Sequence, residues 1–128
     1  MSEGKSEGKS EGQGIDKIGR HGGDASPHYS ISARQSILET PEARVTLMTL
    51  APGEATPWHR HSAIADTAFR LDGEVEVQAR EPEEAIRLLP GAPCRMEPGR
   101  VHRVVNAGDA PCRFLLVQGV GTYDFIKT

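Results

Sequence analysis

The residues best suited to chemistry are two histidines, His59 and His61, in the segment Trp58-His59-Arg60-His61. On a β-strand, residues two positions apart point to the same face, so the two imidazoles would lie side by side. Neutral imidazole binds divalent iron, nickel, copper and zinc, and two neighbouring imidazoles make half of a metal site. By itself the pair is a weak signal, because a metal site needs further ligands.

Two more residues strengthen the hypothesis of a metal site. Asp66 follows His61 by five positions and offers carboxylate oxygens. His102 follows the Pro98-Gly99 turn, at the start of another apolar stretch. A third imidazole at the beginning of a strand can converge with His59 and His61 on one point inside a β-barrel.

Short apolar stretches separated by turn residues surround these positions and predict strands. The predicted strands cover residues 30–38, 43–50, 67–79, 86–89, 101–105 and 112–117. Asp72-Gly73 interrupts the third of these and indicates a hairpin. No segment has a long helical period of apolar residues, so we expect an all-β sandwich or barrel.

The spacing around the first two histidines resembles the first motif of the cupin family. It reads Gly53, five residues, His59, one residue, His61, four residues, Asp66, six residues, Gly73. Every interval agrees with the motif. The single departure is Asp66, which stands where cupins usually have glutamate.

The region around His102 resembles the second cupin motif. It reads Gly91, then Pro98-Gly99, two residues, His102, three residues, Asn106, with Glu97 at the usual proline position. The two motifs occur in the right order and are joined by a strand-turn-strand segment, which makes the resemblance specific. The general strand pattern extends it over residues 29–125.

The resemblance implies a cupin double-stranded β-helix, a jelly-roll-like barrel, with one divalent metal ion at its mouth. The implied ligands are His59, His61, Asp66 and His102, and the ion would be Fe, Mn, Ni or Zn. Asp is one methylene shorter than Glu, so Asp66 has several possible roles. It can ligate directly, act through a water, orient a histidine, or merely cap backbone N–H groups.

Strand alternation suggests which other side chains face the pocket. If Asp66 points inward, Arg70 shares its face and could anchor a carboxylate substrate. A register break at Thr67 would instead turn Arg70 to solvent. Gln118 and Tyr123 could lie near the barrel, but we expect ordinary structural roles for them.

Four sulfur-containing side chains are predicted to lie in the interior. Met48 and Met96 are expected to fill the core. Cys94 and Cys112 are too few for a disulfide framework and are expected to be buried thiols. A bridge between them stays open if their strands pair.

Charge and composition limit the classes of partner. The chain has 128 residues, a formal net charge of -3 and a pI near 5.9. This acidic balance argues against nucleic acid or an anionic membrane as a partner, because both attract basic surfaces. No apolar stretch approaches the roughly 20 residues of a membrane span, and no secretory signal is visible. We therefore expect a cytoplasmic protein without a membrane anchor.

The beginning of the chain differs from the rest in composition. Residues 1–14 repeat the pattern Ser-Glu-Gly-Lys and contain almost no apolar side chains. Such a segment cannot bury enough surface to offset the entropy lost on ordering. We expect residues 1–28 to form a flexible low-complexity tail and residues 29–128 to form the barrel domain.

Three classes of function are compatible with these features. The first is a metal-dependent enzyme of the dioxygenase, lyase, decarboxylase or isomerase type, acting on a small polar or anionic molecule. The second is a non-catalytic binding or sensory module, and the third is a cupin whose metal is structural or vestigial. The resemblance also implies a homodimer, with residues 115–120 or the segment before Val45 as the interface.

Overall fold

A computed structural model of the chain describes residues 33–128. The predicted tail and the predicted start of the domain at residue 29 lie outside the described residues. The described part contains ten strands. They are β1 (Ala33–Glu39), β2 (Ala43–Leu50), β3 (His59–Arg60), β4 (Ala65–Asp72), β5 (Val75–Ala79), β6 (Glu84–Arg87), β7 (Cys94–Met96), β8 (His102–Asn106), β9 (Cys112–Gly119) and β10 (Ile126–Lys127).

The strands form two five-stranded antiparallel sheets. The first sheet has the order β1-β2-β9-β4-β7 and the second has the order β10-β3-β8-β5-β6. Strands that follow each other in the chain therefore often lie in different sheets, as in a double-stranded β-helix. The two inner faces enclose one apolar core that includes Met48, Leu50, Val77, Met96 and Phe114.

The side chains of β9 show how the pattern produces the core. Alternate residues of this strand are buried, among them Cys112, Phe114 and Leu116. Burying each large apolar side chain contributes about 1.5–3 kcal/mol. The predicted core positions of Met48 and Met96 are confirmed, and both cysteines are buried free thiols, so the bridge left open above does not form.

The hairpin predicted at Asp72-Gly73 is wrong, because this turn connects β4 of the first sheet to β5 of the second, and the two strands do not pair with each other. Gly73 has a φ of +75°, and a Cβ added there would lie 2.6 Å from the Cys112 side chain and from the Pro111 carbonyl oxygen. Only glycine satisfies both the backbone conformation and the close approach of the neighbouring strand. The last glycine of the first motif is therefore required by the fold and not by the site.

The sequence predicts the long strands and misses the short ones. Strands β3, β7 and β10 have two or three residues each, too few to show an alternating pattern. Two of them matter for the site, since β3 begins at His59 and β10 pairs with β3. Within residues 33–128, no helix is long and apolar enough to cross a membrane.

Candidate metal centre

Both sheets contribute to a cluster of polar residues in the barrel. His59 on β3 is the Cα partner of His102 on β8, within the second sheet. His61 follows β3 directly, and Asp66 lies on β4 of the first sheet. All four side chains are buried, and one ligand atom from each lies within 4.8 Å of the others. The four residues predicted as ligands thus form a candidate metal site.

A backbone carbonyl orients each of the three imidazoles. Nδ1 of His59 lies 2.7 Å from the Pro57 oxygen, Nδ1 of His61 lies 2.5 Å from the Asp124 oxygen, and Nδ1 of His102 lies 2.8 Å from the Arg100 oxygen. A carbonyl can only accept, so Nδ1 carries the proton in each ring. In a neutral ring, Nε2 then presents its lone pair to the centre of the cluster.

The three Nε2 atoms surround one oxygen of Asp66. Oδ2 lies 2.9 Å from Nε2 of His102, 3.1 Å from that of His61 and 3.7 Å from that of His59. The other oxygen, Oδ1, is buried and has no hydrogen-bond partner among the described residues. This buried acceptor atom of Asp66 destabilises the folded protein unless an ion or a ligand binds to it.

The charges in this cluster favour a cation. Burial would raise the pKa of Asp66, but its contacts with His102, His59 and His61 hold that pKa well below the usual range, so the carboxyl is ionised. Burial would lower the pKa of His61, but its hydrogen bonds to Asp66 and to the Asp124 carbonyl raise it. Lone pairs on neutral Nε2 atoms and on a carboxylate repel each other unless a proton or a metal ion lies between them. Three imidazoles and one ionised carboxylate are a donor set that suits a divalent ion.

The family model for the cupin domain matches residues 46–118, more than half of the chain. The chain belongs to the cupin family. The match spans both motifs, which confirms the resemblance drawn from their spacing. No functionally curated protein is similar enough to be matched.

Solved structures agree with this assignment. A Klebsiella pneumoniae protein with a double-stranded β-helix domain is 25% identical, with a TM-score of 0.64 over 82% of this chain and 88% of the other. TT1209 from Thermus thermophilus is 27% identical, with a TM-score of 0.63 over 70% and 83%. An oxalate oxidase bound to the substrate analogue glycolate is 15% identical, with a TM-score of 0.65 over 75% and 54%, and shows the shared fold alone.

The C-terminal segment of this cupin covers the candidate metal site. The Phe125 ring stacks on His59 with centroids 4.5 Å apart, and the Tyr123 ring lies 5.4 Å from that of His61. The Asp124 carboxylate accepts hydrogen bonds from the backbone N–H and the hydroxyl of Ser62, at 2.8 and 2.5 Å. Sequence reasoning missed this role of Asp124, because Ser62 lies 62 positions earlier and no local pattern links the two.

A cavity of about 370 Å³ opens beside His59. Its lining combines cations, polar groups and apolar or aromatic side chains: Arg34, Arg44, Thr46, Met48, Thr56, Pro57, His59, Leu116, Gln118, Tyr123, Phe125 and Lys127. Gln118 and Tyr123, for which we expected structural roles, therefore both face the cavity. Among the four candidate ligands, His59 is the one that reaches it.

Arg70 does not line this cavity. Its Nη1 donates to the Leu88 carbonyl at 3.0 Å, and its Nη2 lies 3.7 Å from a carboxylate oxygen of Glu74. Its Cα partner on β9 is Phe114, which is fully buried in the core. The role of Arg70 as a substrate anchor stays a prediction, and none of these contacts supports it.

Proposed function

We propose that this cupin binds one divalent metal ion through His59, His61 and His102, with Asp66 as a fourth ligand or as the residue that orients them. The observation that carries the proposal is the convergence of three carbonyl-oriented Nε2 atoms on one ionised carboxylate. The second carboxylate oxygen of Asp66, which has no hydrogen-bond partner in the described part of the chain, supports it further. The donor set does not choose between Fe, Mn, Ni and Zn.

We further propose that the site is catalytic and acts on a small polar or anionic organic molecule. A bound divalent ion would supply Lewis-acid or O2-binding chemistry. The chain's own contribution is to orient the imidazoles, to exclude water with Phe125 and Tyr123, and to leave His59 open to the cavity. Several related folds carry enzymes, including the oxalate oxidase above, but fold alone does not give the reaction.

The metal assignment is tested by elemental analysis of protein purified without a metal-binding tag. We expect about one metal ion per chain, lost in His59→Ala, His61→Ala and His102→Ala and reduced less in Asp66→Ala. Arg95→Ala, an exposed residue on β7, is the matched control and should keep the metal. Full metal content in the double variant His59→Ala/His102→Ala would refute the assignment.

The identity of the metal then separates the enzyme classes. Iron would direct the test to O2 consumption with small organic acids and thiols, whereas Mn, Ni or Zn would direct it to lyase, isomerase and decarboxylase reactions. Tight binding of a small molecule without turnover would favour the second candidate, a sensory or binding module. The open cavity beside His59 is compatible with that alternative as well.

We also propose that the protein forms a homodimer in the cytoplasm. What supports the dimer is the outer face of the first sheet, where two cross-strand rows are apolar except at one end, which is formed by Thr67 and Arg95 in one row and by Gln35 in the other. One row contains Leu38, Val45 and Val117, and the next contains Leu47, Leu115 and Phe69. An outward sheet face in contact with water is normally polar, so an apolar one marks an interaction surface.

Light scattering tests the dimer. We expect twice the monomer mass for the wild type, and a shift towards monomer for Val117→Lys, which places a charge in the centre of the apolar rows. Arg113→Ser on the same strand, outside those rows, should remain dimeric. A monomeric wild type at all accessible concentrations would contradict the proposal.

A further inference from the structure

The cavity has a second polar end, on the inner face of the first sheet. Asp66 is the Cα partner of Gln118, and Gln118 is in turn the partner of Arg44 on β2. Residues paired across antiparallel strands point to the same face, so the three side chains form one row. Two strand spacings separate Asp66 from Arg44, which is about 10 Å between their Cα atoms. The row therefore connects the candidate metal site to a cation.

Arg44 is held in place without having all its hydrogen bonds satisfied. Its guanidinium carbon lies 3.8 Å from the centre of the Tyr123 ring, and its Nη2 lies 3.8 Å from a carboxylate oxygen of the exposed Glu39. Its Nε is buried and has no hydrogen-bond partner among residues 33–128. A buried N–H of a charged group without an acceptor destabilises the folded protein, and an anionic ligand would remove that cost.

The other residues that line the cavity also favour an anionic ligand. Arg34, Arg44 and Lys127 border the cavity, and no aspartate or glutamate among the described residues does so. Gln118 is 7% exposed, and its side-chain amide makes no hydrogen bond to the described part of the chain. Met48, Leu116 and Phe125 are among the apolar side chains that line the same cavity. A ligand that fits this lining has an anionic end and an apolar body.

We propose that Arg44 is the anchor of a small organic carboxylate. The carboxylate binds the Arg44 guanidinium beside the Gln118 amide, and Arg34 supplies further positive charge. The apolar body extends towards His59, whose Cα partner on β10 is Lys127. This deepens the function proposed above, since it rests on His59 being part of a metal site that acts on the far end of the ligand. The volume of about 370 Å³ lies at the lower end of the range for ligand pockets.

The Arg44 assignment differs from the Arg70 hypothesis in its contacts. The Arg70 guanidinium already has a carbonyl acceptor at 3.0 Å, whereas Nε of Arg44 has no acceptor within the described part of the chain. Arg44 borders the cavity and Arg70 does not. The difference between the two residues is therefore one of position and of hydrogen-bond donors that lack an acceptor among residues 33–128.

Calorimetric titration with benzoate and with benzamide tests the proposal on the zinc-loaded protein. The two probes have nearly the same shape, but only benzoate carries a negative charge. We expect benzoate to bind at least 10-fold more tightly than benzamide. Arg44→Met should weaken benzoate binding about 10- to 100-fold, the loss of a charge-assisted hydrogen bond, and Arg44→Lys should weaken it less.

Controls separate this proposal from the metal proposal. Arg113→Met changes a cation on the outer side of the same sheet, paired with Asp72, and should bind benzoate like the wild type. Arg44→Met should retain its zinc content and circular dichroism. If zinc does not bind to the protein, the metal proposal fails. The Arg44 proposal can still be tested by benzoate titration of the metal-free protein. Benzoate should bind there with the same dependence on Arg44.

Several results would overturn the assignment of Arg44 as the carboxylate anchor. Equal affinity for benzoate and benzamide would show that the cavity does not select an anion. Unchanged benzoate affinity in Arg44→Met would remove Arg44 from the site, and binding that requires zinc but not Arg44 would place the carboxylate on the metal. A loss with Arg70→Met and none with Arg44→Met would return the role to Arg70.

Discussion

At each end of the cavity, one buried polar atom has no hydrogen-bond partner among residues 33–128, but the two ends are built in different ways. At the histidine end the atom is an acceptor, Oδ1 of Asp66, and at the arginine end it is a donor, Nε of Arg44. Backbone carbonyls fix the imidazoles at the histidine end. The described contacts of Arg44 at the arginine end are with side chains, namely the Tyr123 ring and a 3.8 Å ion pair with Glu39.

Because of this difference, the two ends are suited to different ligands. A metal ion needs ligands held close to one geometry, and acceptors on the backbone supply that because they move only with the strands themselves. An organic anion tolerates more variation, and a long arginine side chain can adjust to it. The histidine end should therefore respond strongly to changes in its ligands, and the arginine end more gradually.

The largest expected effect is on the stability given by a metal at the histidine end. Zinc at about 100 times its dissociation constant stabilises a protein by about 2.7 kcal/mol. For a domain of this size that corresponds to a rise of about 10 °C or more in the melting temperature. Scanning calorimetry should show this rise in the wild type and lose it in His59→Ala/His102→Ala. An identical rise in both proteins would place zinc elsewhere.

Asp66 should separate metal binding from stability in the absence of metal. In Asp66→Asn, the amide N–H2 can donate to neutral Nε2 atoms, so the metal-free variant should be as stable as the wild type or more stable by about 1 kcal/mol. Its zinc affinity should fall about 10- to 100-fold, because the carboxylate charge is lost. Denaturant unfolding with and without zinc measures both quantities. A parallel decrease in both would mean that Asp66 is simply structural.

The histidine end could be predicted from the sequence and the arginine end could not, for a physical reason. His59, His61, Asp66 and His102 lie in motifs whose spacing is visible in the sequence, and the structure brings all four together. Arg44 reaches the cavity through pairing with residue 118, a contact between distant parts of the chain that no local pattern encodes. The prediction for Arg70 rests on alternation along one strand. Alternation predicts a face, but it does not say which end of the barrel the side chain reaches.

A smaller effect is expected from removing the two hydrogen bonds between Asp124 and Ser62. The Asp124 carboxylate holds the Ser62 backbone N–H and hydroxyl, and the Asp124 carbonyl accepts from Nδ1 of His61. Asp124→Ala should let the C-terminal segment shift and weaken zinc binding about 10-fold. Asp109→Ala, a change in the turn before β9, is the control and should leave zinc affinity unchanged. Equal zinc affinity in Asp124→Ala and the wild type would show that the strands alone position His61.

The smallest effect should come from the rim of the arginine end, and its direction is opposite to that of the other changes. Glu39 is an exposed acid whose carboxylate competes with a ligand for Arg44 across 3.8 Å. An exposed ion pair of this kind contributes about 0–1 kcal/mol, so Glu39→Gln should hardly change the free energy of unfolding. Benzoate affinity should rise by about two- to fivefold, since the guanidinium is then free for the ligand. Weaker benzoate binding in Glu39→Gln would mean that Glu39 orients Arg44 and that the arginine end is as firmly built as the histidine end.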